Sequence, residues 1–545
     1  MTGSGTTGRK MTAGSSLAVA LLLVIPAVPS AVHAQIGPAH WRPDDRILIG
    51  DFSWVEALAR GFDRLYAATG AGLVVYDDLS RRFEPPFTRE DGYPEARVTA
   101  MTYDDRDGTL WLATDEPRLL QLQPDTWRFQ AELGVSEELF ELVPAEISNS
   151  DLFARTRRGW LRIDTFLREI RPVSPEVVAA EAARNSYLRR RADLLRDPGF
   201  QSVSSLIGRG SGARAAPLTD VMPGRGGSLY WVGTAGGFIV EYDHLTRTWS
   251  PLAFGFLGRG AAAFAADTTG VWFLPHESAR GRFGVARADV ELQRWQVWDV
   301  DSVRAAPQEP LRVAVSTRGI LWAGGPSGLY RYAEEDGGWT DVGRAGVLRA
   351  REVTALAAEP GRGVWVGTSR GVILLSETGD PLGRSELSGV RVYALAVHAG
   401  RLWVGTSTGL YAIGLDGGGP EAVSGSGALR RRVGALAAEG EILYAGLGHE
   451  VWRWSEGSEW ARVDPVGPVG GPVTALAVRD GVLWVGSDEG IVRWDPRAVE
   501  LRRFSFAAGD LPTDRGLRGV YALLPMGPYE VWIGTPAGAL RLKAE

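Results

Sequence analysis

The sequence contains no cysteine among its 545 residues. This absence excludes disulfides, thiolate metal sites, a cysteine nucleophile and a lipid-modified N-terminal cysteine. Lysine occurs only at Lys10 and Lys543, so arginine supplies nearly all of the positive charge. The 59 basic and 65 acidic residues leave a formal net charge of −6. That balance gives no general attraction to nucleic acid, whose binding proteins usually carry a basic field.

Long hydrophobic runs are also scarce, and the single apolar segment lies at the N-terminus. Two basic residues precede Leu17–Val28, and Val32 and Ala34 fit the two positions that a signal peptidase reads. Residues 1–34 are therefore predicted to be a secretory signal peptide, with cleavage near Ala34. The alternative is a membrane anchor, but a span needs about 20 apolar residues, and this run is shorter. The expectation is a periplasmic or secreted protein without stable membrane insertion after cleavage.

Glycine and tryptophan are abundant instead, with 70 and 20 copies, and one phrase recurs along the chain. It consists of an apolar residue, an aromatic, one or two small residues, a hydroxyl residue and then a glycine, as in LWVGTSTGLYAI from Leu402. The aromatic markers are Tyr66, Trp111, Phe153, Trp231, Trp272, Trp322, Trp365, Trp403, Tyr444, Trp484 and Trp532. Their successive spacings are 45, 42, 78, 41, 50, 43, 38, 41, 40 and 48 residues. Apart from one long gap, this is the period of a four-stranded propeller blade.

Each repeat resolves into four short strands. A strand rich in small and apolar residues, such as Val353–Glu359 or Val473–Asp480, comes before the marker strand. A hairpin dipeptide such as Asp480-Gly481 separates the two. An alternating third strand follows, and then an outer strand with an aromatic residue, as at Trp127, Trp249, Trp339 and Trp460. The sequence therefore predicts an all-β fold, a β-propeller of about eleven four-stranded blades, arranged as two packed propellers or as one large ring.

The repeat resembles that of a known family, the propeller repeats of extracytoplasmic sensor regions in bacterial two-component regulators. Three stretches carry the resemblance: REDGYPEARVTAMTYDDRDGTLWLAT (Arg89–Thr114), RAREVTALAAEPGRGVWVGTSRGV (Arg349–Val372) and GDLPTDRGLRGVYALL (Gly509–Leu524). It extends over residues 41–545 and implies a stand-alone secreted or periplasmic member. The transmembrane segment, kinase and DNA-binding parts of many such regulators are not expected here, so any signal would pass to a separate protein.

Two propellers are favoured over one large ring because eleven blades exceed the usual four to eight. Residues 35–260 are predicted to form N-terminal blades and residues 261–545 C-terminal blades, with seven units from Trp272 to Trp532. The last unit is one strand short, and residues 39–45 are predicted to supply that strand.

The long gap contains a helical pattern at residues 174–197, which begins at Ser174 and Pro175. The simpler interpretation is a helix that packs on the propeller side or acts as a spacer. The alternative is a docking element, in which Arg189, Arg190 and Arg191 bind an acidic partner.

Several apparent site motifs have simpler explanations. The two G-x-S-x-G matches, at Gly367–Gly371 and Gly405–Gly409, lie in the repeat's own turn, whereas a hydrolase elbow leads from a strand into a helix. Asp105–Gly108 fits a hairpin turn better than a calcium loop. The histidines are isolated and lack metal-ligand spacing. No catalytic residue, metal site or cofactor is predicted.

Three functions follow as hypotheses. The first is a non-enzymatic binding or scaffold protein of the cell envelope, whose loops and funnel recognise a protein, peptide or glycan. The second is a ligand-sensing component that acts on a separate membrane regulator. The third is a propeller enzyme, a lyase or glycan-active protein, with residues from several blades at the axis.

Overall fold

The structure, a computed structural model, describes residues 45–144, 151–204, 216–299, 307, 313–336, 338–343, 348, 352–423, 427–464, 466–467 and 469–544. Within these residues the chain is all-β, with eleven antiparallel sheets and three short helices between two of them. The β-propeller predicted from the marker spacings is confirmed. No helix in this part of the chain is long and apolar enough to cross a membrane.

Four sheets, named N1 to N4, occupy the N-terminal part of the chain. N1 contains β2 (Val55–Arg60), β3 (Arg64–Thr69), β4 (Gly72–Asp77), β5 (Arg82–Phe83) and β6 (Phe87–Thr88). N2 contains β7 (Val98–Asp104), β8 (Thr109–Thr114), β9 (Arg118–Gln123) and β10 (Arg128–Gly134). N3 contains β11 (Glu141–Pro144), β12 (Asp151–Arg155), β13 (Trp160–Asp164) and β14 (Glu169–Val173). N4 contains β15 (Leu218–Pro223), β16 (Leu229–Thr234), β17 (Ile239–Asp243) and β18 (Thr248–Leu252).

Seven sheets, named C1 to C7, follow. C1 contains β19 (Arg259–Asp267), β20 (Gly270–Glu277), β21 (Gly284–Ala288) and β22 (Trp295–Asp299), and C2 contains β23 (Val313–Thr317), β24 (Ile320–Gly325), β25 (Gly328–Ala333) and β26 (Gly338–Asp341). C3 contains β27 (Val353–Glu359), β28 (Gly363–Thr368) and β29 (Gly371–Leu375), and C4 contains β30 (Val392–His398), β31 (Arg401–Thr406), β32 (Gly409–Gly414) and β33 (Glu421–Ala422).

The last three sheets complete this series. C5 contains β34 (Ala435–Glu439), β35 (Ile442–Leu447), β36 (Glu450–Ser455) and β37 (Ala461–Arg462), and C6 contains β38 (Val473–Arg479), β39 (Val482–Ser487), β40 (Gly490–Asp495) and β41 (Glu500–Ser505). C7 contains β42 (Ala522–Pro525), β43 (Glu530–Thr535), β44 (Gly538–Lys543) and, at its outer edge, β1 (Arg46–Ile49).

The inner strands show how these sheets are grouped. In C1 to C7 each inner strand contacts the next, and β42 contacts β19, so the seven form a closed circle. In the N-terminal set β15, β2, β7 and β11 lie side by side in that order. We propose that the two sets are two propellers, as the number of blades predicts. The predicted boundary after residue 260 falls inside β19, so we place it at residue 258, just before that strand.

An N-terminal strand closes the seven-membered set. β1 pairs antiparallel with β44, with Arg46 opposite Leu542 and Ile49 opposite Ala539. Of the segment expected to supply this strand, residues 39–44 lie outside the described residues and Asp45 is in a turn. The observed strand begins immediately after it. Ile49 is fully buried, so the closing strand contributes to the core as well as to the sheet.

The repeated phrase fixes the packing of each blade. All eleven markers lie on the second strand of their sheet and are at most 8% exposed. The V-T-A strands carry a β-bulge at the threonine, because the register shifts between Val98 and Ala100 and between Val473 and Ala475. A bulge re-aims the side chain that it displaces. The hydroxyl of Thr474 accordingly donates to the Val520 carbonyl of the next blade, at 2.6 Å.

The helical pattern expected at residues 174–197 forms two helices, and a third follows. These are α1 (Pro175–Arg184), α2 (Ser186–Arg196) and α3 (Pro198–Ser204). The Asn185 side chain accepts from the Leu188 amide at 3.0 Å and so caps α2. The Asp197 carboxylate accepts from the Gly199 amide at 2.5 Å. Side chains that cap a new helix start compete with continuation of the old one, which explains the breaks.

Candidate functional site

Two cavities lie where the blades meet. The junction cavity, of about 320 Å³, is bordered by the segment between β1 and β2, the loops after β6 and β41, and loops of N4, C1 and C7. The axial cavity, of about 480 Å³, is lined by the inner strands of N1 to N4 and by α2.

The floor of the junction cavity is the segment 50–54, which joins the closing strand to the first N-terminal blade. It runs beside the segment 254–258, which leads back to C1, and Phe256 donates its amide to the Gly50 carbonyl at 3.3 Å. Gly255 has a φ of +89°, and an added Cβ would lie 2.4 Å from that carbonyl oxygen. Only glycine fits there. The two crossing segments therefore hold the floor in a fixed conformation.

Asp51 ties these two segments together. Its carboxylate accepts from the Ser53 amide at 3.0 Å, the Ser53 hydroxyl at 2.6 Å and the Gly258 amide at 3.2 Å. Burial raises the pKa of Asp51, and the hydrogen bonds from Ser53 and Gly258 oppose that effect. Since its hydrogen bonds go to the protein's own backbone and to Ser53, Asp51 has a structural part in the floor.

Two of the lining arginines are held from behind by Glu56, which itself lines the axial cavity. Glu56 occupies the bulge of β2, where the register shifts between Val55 and Ala57. Arg97 and Arg280 each place a guanidinium nitrogen 3.4 Å from a Glu56 carboxylate oxygen. The guanidinium of Arg280 also stacks on the Trp54 ring, 4.1 Å from its centroid. Glu56 thus joins N1 and N2 to C1, and a cation–π contact orients Arg280.

The lining is rich in arginine. It contains six arginines (Arg89, Arg97, Arg259, Arg280, Arg282 and Arg515) and four carboxylates (Asp51, Glu90, Glu95 and Asp514), a net of +2. Arg282 is paired with Asp299, and Arg259 with Asp514 at 3.6 Å. Arg515 is exposed and has no ion pair within the part of the chain that the structure describes. The guanidinium of Arg89 donates a long hydrogen bond of 3.4 Å to the Gly70 carbonyl and has no ion pair among the described residues.

Tyr93 completes the junction cavity on the N1 side. Burial raises the pKa of its phenol above the usual value, and its hydroxyl donates to the Thr69 carbonyl at 3.1 Å. Because the Tyr93 phenol is neutral and its O–H is already hydrogen-bonded, it supplies aromatic surface rather than a group that could transfer a proton. Within the described residues, the cavity therefore presents aromatic surface and two guanidinium groups without an ion pair, which suits recognition of an anionic ligand.

The axial cavity is occupied at one side by Arg191 of α2. Its guanidinium donates to the Val221 carbonyl at 3.0 Å, to Glu141 at 3.1 Å and to Asp220 at 3.0 Å. Glu141 lies on β11 and Asp220 on β15, so Arg191 links N3 to N4 across the place where the helices enter. Asp220 also accepts from the Leu58 amide at 2.9 Å.

The three arginines predicted to bind a partner therefore lie in different surroundings. Arg191 is bound within the protein, and Arg190 is half-buried, with its guanidinium 5.5 Å from the Tyr230 ring centroid. Arg189 is exposed. Their role in binding an acidic partner stays a prediction, and only Arg189 projects into solvent.

The serines of the two G-x-S-x-G matches lie in two-residue turns between strands. Ser369 lies between β28 and β29, and Ser407 between β31 and β32. In both turns the preceding threonine donates its hydroxyl to the second glycine's carbonyl, at 2.9 Å for Thr368 and 2.7 Å for Thr406. The interpretation of these motifs as repeat turns is confirmed.

The described histidines lie in four different blades or their turns: His244, His276, His398 and His449. His276 stacks on Tyr521 with ring centroids 4.2 Å apart. Over the ranges that the structure describes, no cluster of three metal-ligating side chains occurs.

The junction-cavity residues were missed by the sequence reasoning because they come from separate repeats. One signal was present. The loops that carry the DGYP stretch before β7 and the DLP stretch before β42 both border the junction cavity, which Tyr93, Pro94 and Arg515 line. Both loops belong to the stretches on which the family resemblance rests.

No family model matches this chain, and no curated protein matches it. Solved structures similar to it include the extracellular domain of a hybrid two component system of B. thetaiotaomicron, 14% identical, with a TM-score of 0.43 over 89% of this chain and 60% of that one. The chain thus spans less than two thirds of that structure.

A second similar structure is the extracellular domain of a one component system of the same organism, 12% identical, with a TM-score of 0.40 over 90% of this chain and 69% of that one. The computationally designed Ika8 protein is 17% identical, with a TM-score of 0.39 over 54% of this chain and 98% of that one. Structural neighbours of the chain thus include extracellular domains of two component system proteins.

Proposed function

We propose that the chain is an extracytoplasmic, non-enzymatic binding protein that holds an anionic ligand in the junction cavity. The observation that carries this proposal is the composition of the cavity. Among the described residues, its Arg89 and Arg515 have no ion pair, and Trp54 and Tyr93 line the same cavity. Arginine forks bind carboxylate and phosphate groups in two-point contacts. Aromatic surface beside them suits an acidic peptide or an acidic glycan.

The lining favours binding over catalysis for a physical reason. A general acid or base needs a side chain that can exchange a proton within hydrogen-bond reach of a bound ligand. Three of the four lining carboxylates already have partners, since Asp51 accepts from Ser53 and Gly258, Glu90 pairs with Arg46, and Asp514 pairs with Arg259. The fourth, Glu95, is exposed to solvent. The sensing alternative uses the same cavity and differs only in a separate membrane protein that would respond to its occupancy.

The test uses the mature chain and a panel of acidic and neutral peptides and oligosaccharides. The variant Arg89→Gln/Arg515→Gln is expected to bind the acidic ligands at least about tenfold more weakly, because a charge-assisted hydrogen bond contributes roughly 1.5–3 kcal/mol. Arg432→Gln is the matched control. Arg432 lies outside the cavity, and its guanidinium stacks on Tyr393, 4.1 Å from the ring centroid.

Two results would refute the proposal. Equal affinity of the parent and the double variant for every ligand would show that the junction cavity is not the site. Chemical conversion of a bound ligand would favour the enzyme alternative. The extracytoplasmic location has its own check, since N-terminal sequencing of the exported protein is expected to begin at Gln35.

A further inference from the structure

A second group of arginines lies away from the junction cavity, at one mouth of the axial cavity. It consists of Arg60 at the end of β2, Arg190 on α2 and Arg225 in the turn after β15, and is named here the arginine cluster. Arg60 lines the axial cavity itself. Three elements far apart in sequence thus bring three permanent positive charges together.

The charges in this cluster are not balanced locally. Asp78 is the shared carboxylate, 3.8 Å from Arg60 and 3.4 Å from Arg225, and its side chain is only 6% exposed. Burial lowers the pKa of Arg60, and the nearby guanidinium groups of Arg225 and Arg190 lower it further against the opposing effect of Asp78 and Asp105. Three cations thus face two carboxylates.

Hydrogen-bond donors are left over as well. Nε of Arg60, Nη2 of Arg190 and Nε of Arg225 are each buried, and none has a hydrogen-bond partner among the described residues. A buried donor without an acceptor costs roughly 1–3 kcal/mol. Nε of Arg60 and Nε of Arg225 both face Oδ2 of Asp78, at 3.8 and 3.4 Å, but neither forms a hydrogen bond with it. An added oxyanion would supply the acceptors that Asp78 does not.

The positions of the guanidinium groups are also fixed. Arg225 donates to the Phe62 carbonyl and lies over the Phe62 ring, 5.2 Å from its centroid. Arg190 lies over Tyr230 and donates to the Gly224 carbonyl at 3.4 Å. Guanidinium groups held in place by rings and carbonyls lose less conformational freedom when they bind an anion.

We propose that the arginine cluster is an oxyanion-binding site at the mouth of the axial cavity, which receives a carboxylate or phosphate group of a ligand. The site is separate from the junction cavity and does not depend on the function proposed for it. It also places one of the arginines of the predicted docking helix, Arg190, in a pocket with two others rather than on an open surface.

Calorimetric titration of the full chain tests this site, with inorganic phosphate and with succinate as the two probes and potassium chloride as the ionic-strength control. The parent protein is expected to bind at least one probe saturably. Arg225→Gln is expected to weaken that binding at least about tenfold, because it removes one charged fork. Arg189→Gln, a matched change at an exposed position on the same helix, is expected to leave it unchanged.

A variant with the opposite expected sign guards against loss of folding in Arg225→Gln. Asp78→Asn removes a competing carboxylate and is expected to bind the probe several-fold more tightly. Relative affinity for phosphate and succinate then identifies which oxyanion the site prefers. The proposal is overturned if neither probe binds saturably, if Arg225→Gln binds as the parent does, or if Asp78→Asn binds no more tightly.

Discussion

Replacement of Arg191 by methionine tests whether this arginine links sheets N3 and N4 or binds a partner protein. The substitution keeps most of the aliphatic stem and removes three hydrogen bonds, to Val221, Glu141 and Asp220, at 3.0, 3.1 and 3.0 Å. The Arg191, Glu141 and Asp220 side chains are 26%, 26% and 19% exposed, so solvent screens these contacts only in part.

The expected cost follows from what remains after the change. A hydrogen bond to a charged group contributes about 1.5–3 kcal/mol, but the three contacts of one guanidinium are not additive. Asp220 keeps the amides of Leu58 and Val221, at 2.9 and 2.8 Å, which limits the penalty for its lost partner. We therefore expect the free energy of unfolding of the N-terminal set to fall by about 2–3 kcal/mol.

Hydrogen exchange measured by mass spectrometry reports on this region directly. Peptides from β11, α2 and β15 are expected to exchange about 30- to 150-fold faster, which is the factor that 2–3 kcal/mol of easier opening gives. Arg189→Met is the control, since Arg189 is exposed on the same helix. Equal exchange in the two variants would refute the linking role of Arg191. Loss of partner binding with unchanged exchange would instead support the docking interpretation.

Three further changes test the repeat, the closing strand and the floor of the junction cavity. Thr474→Val is expected to lower the free energy of unfolding in urea by about 1–2 kcal/mol, because it removes the hydrogen bond to Val520. Thr354→Val is expected to be neutral or stabilising, since the buried Thr354 hydroxyl has no partner among the described residues. Equal effects of the two substitutions would refute the role of the Thr474 hydrogen bond. Ile49→Ala is expected to cost about 2–4 kcal/mol and to speed exchange in β44, and no change in that strand would count against closure by β1. The pKa of Asp51 is raised in the folded protein, so its contribution relative to Asp51→Asn is greatest below the ordinary value of 3.8 and is lost as the pH rises through the folded pKa. The check is the urea midpoint of the parent protein and of Asp51→Asn, measured across this pH range. A difference between the two midpoints that stays constant from about pH 3.5 to 7 would contradict the raised pKa of Asp51.

The repeating part of the fold was predictable because its determinants are local. The expected inner strand Val353–Glu359 is β27 with the same bounds, and the expected strand from Val473 ends one residue earlier than Asp480. Two of the aromatic residues expected on outer strands, Trp249 and Trp339, lie there. Trp127 instead precedes β10, where it adopts a φ of +53°. The conformation of such a turn depends on the whole hairpin rather than on one residue, so the repeat pattern could not predict that Trp127 lies in the turn.

The sites were not predictable, because each depends on contacts between residues far apart in the chain. Arg60, Arg190 and Arg225 share no motif. Each is an ordinary residue of its own strand, helix or turn, so nothing in the local sequence marks it as part of a site. From the sequence, Arg191 is grouped with Arg189 and Arg190 as charges on a helix that could bind an acidic partner. The placement of Glu141 and Asp220 beside it depends on how four blades and three helices share one axis.

The bulge in the inner strands connects the predictable and unpredictable parts of this molecule. At two of the bulges the residue is a threonine whose hydroxyl bonds the next blade, Thr474 to the Val520 carbonyl and Thr99 to the Leu139 carbonyl, each at 2.6 Å. In β2 the same position holds Glu56, which reaches Arg97 on the neighbouring blade and Arg280 on C1. The repeat therefore supplies a position whose side chain faces a neighbouring blade. A glutamate at that position in β2 replaces the hydroxyl contact with ion pairs to two arginines that line the junction cavity. Function on this fold is then expected to appear where a repeat position departs from its own consensus, because the framework tolerates the change there and the side chain already faces another blade.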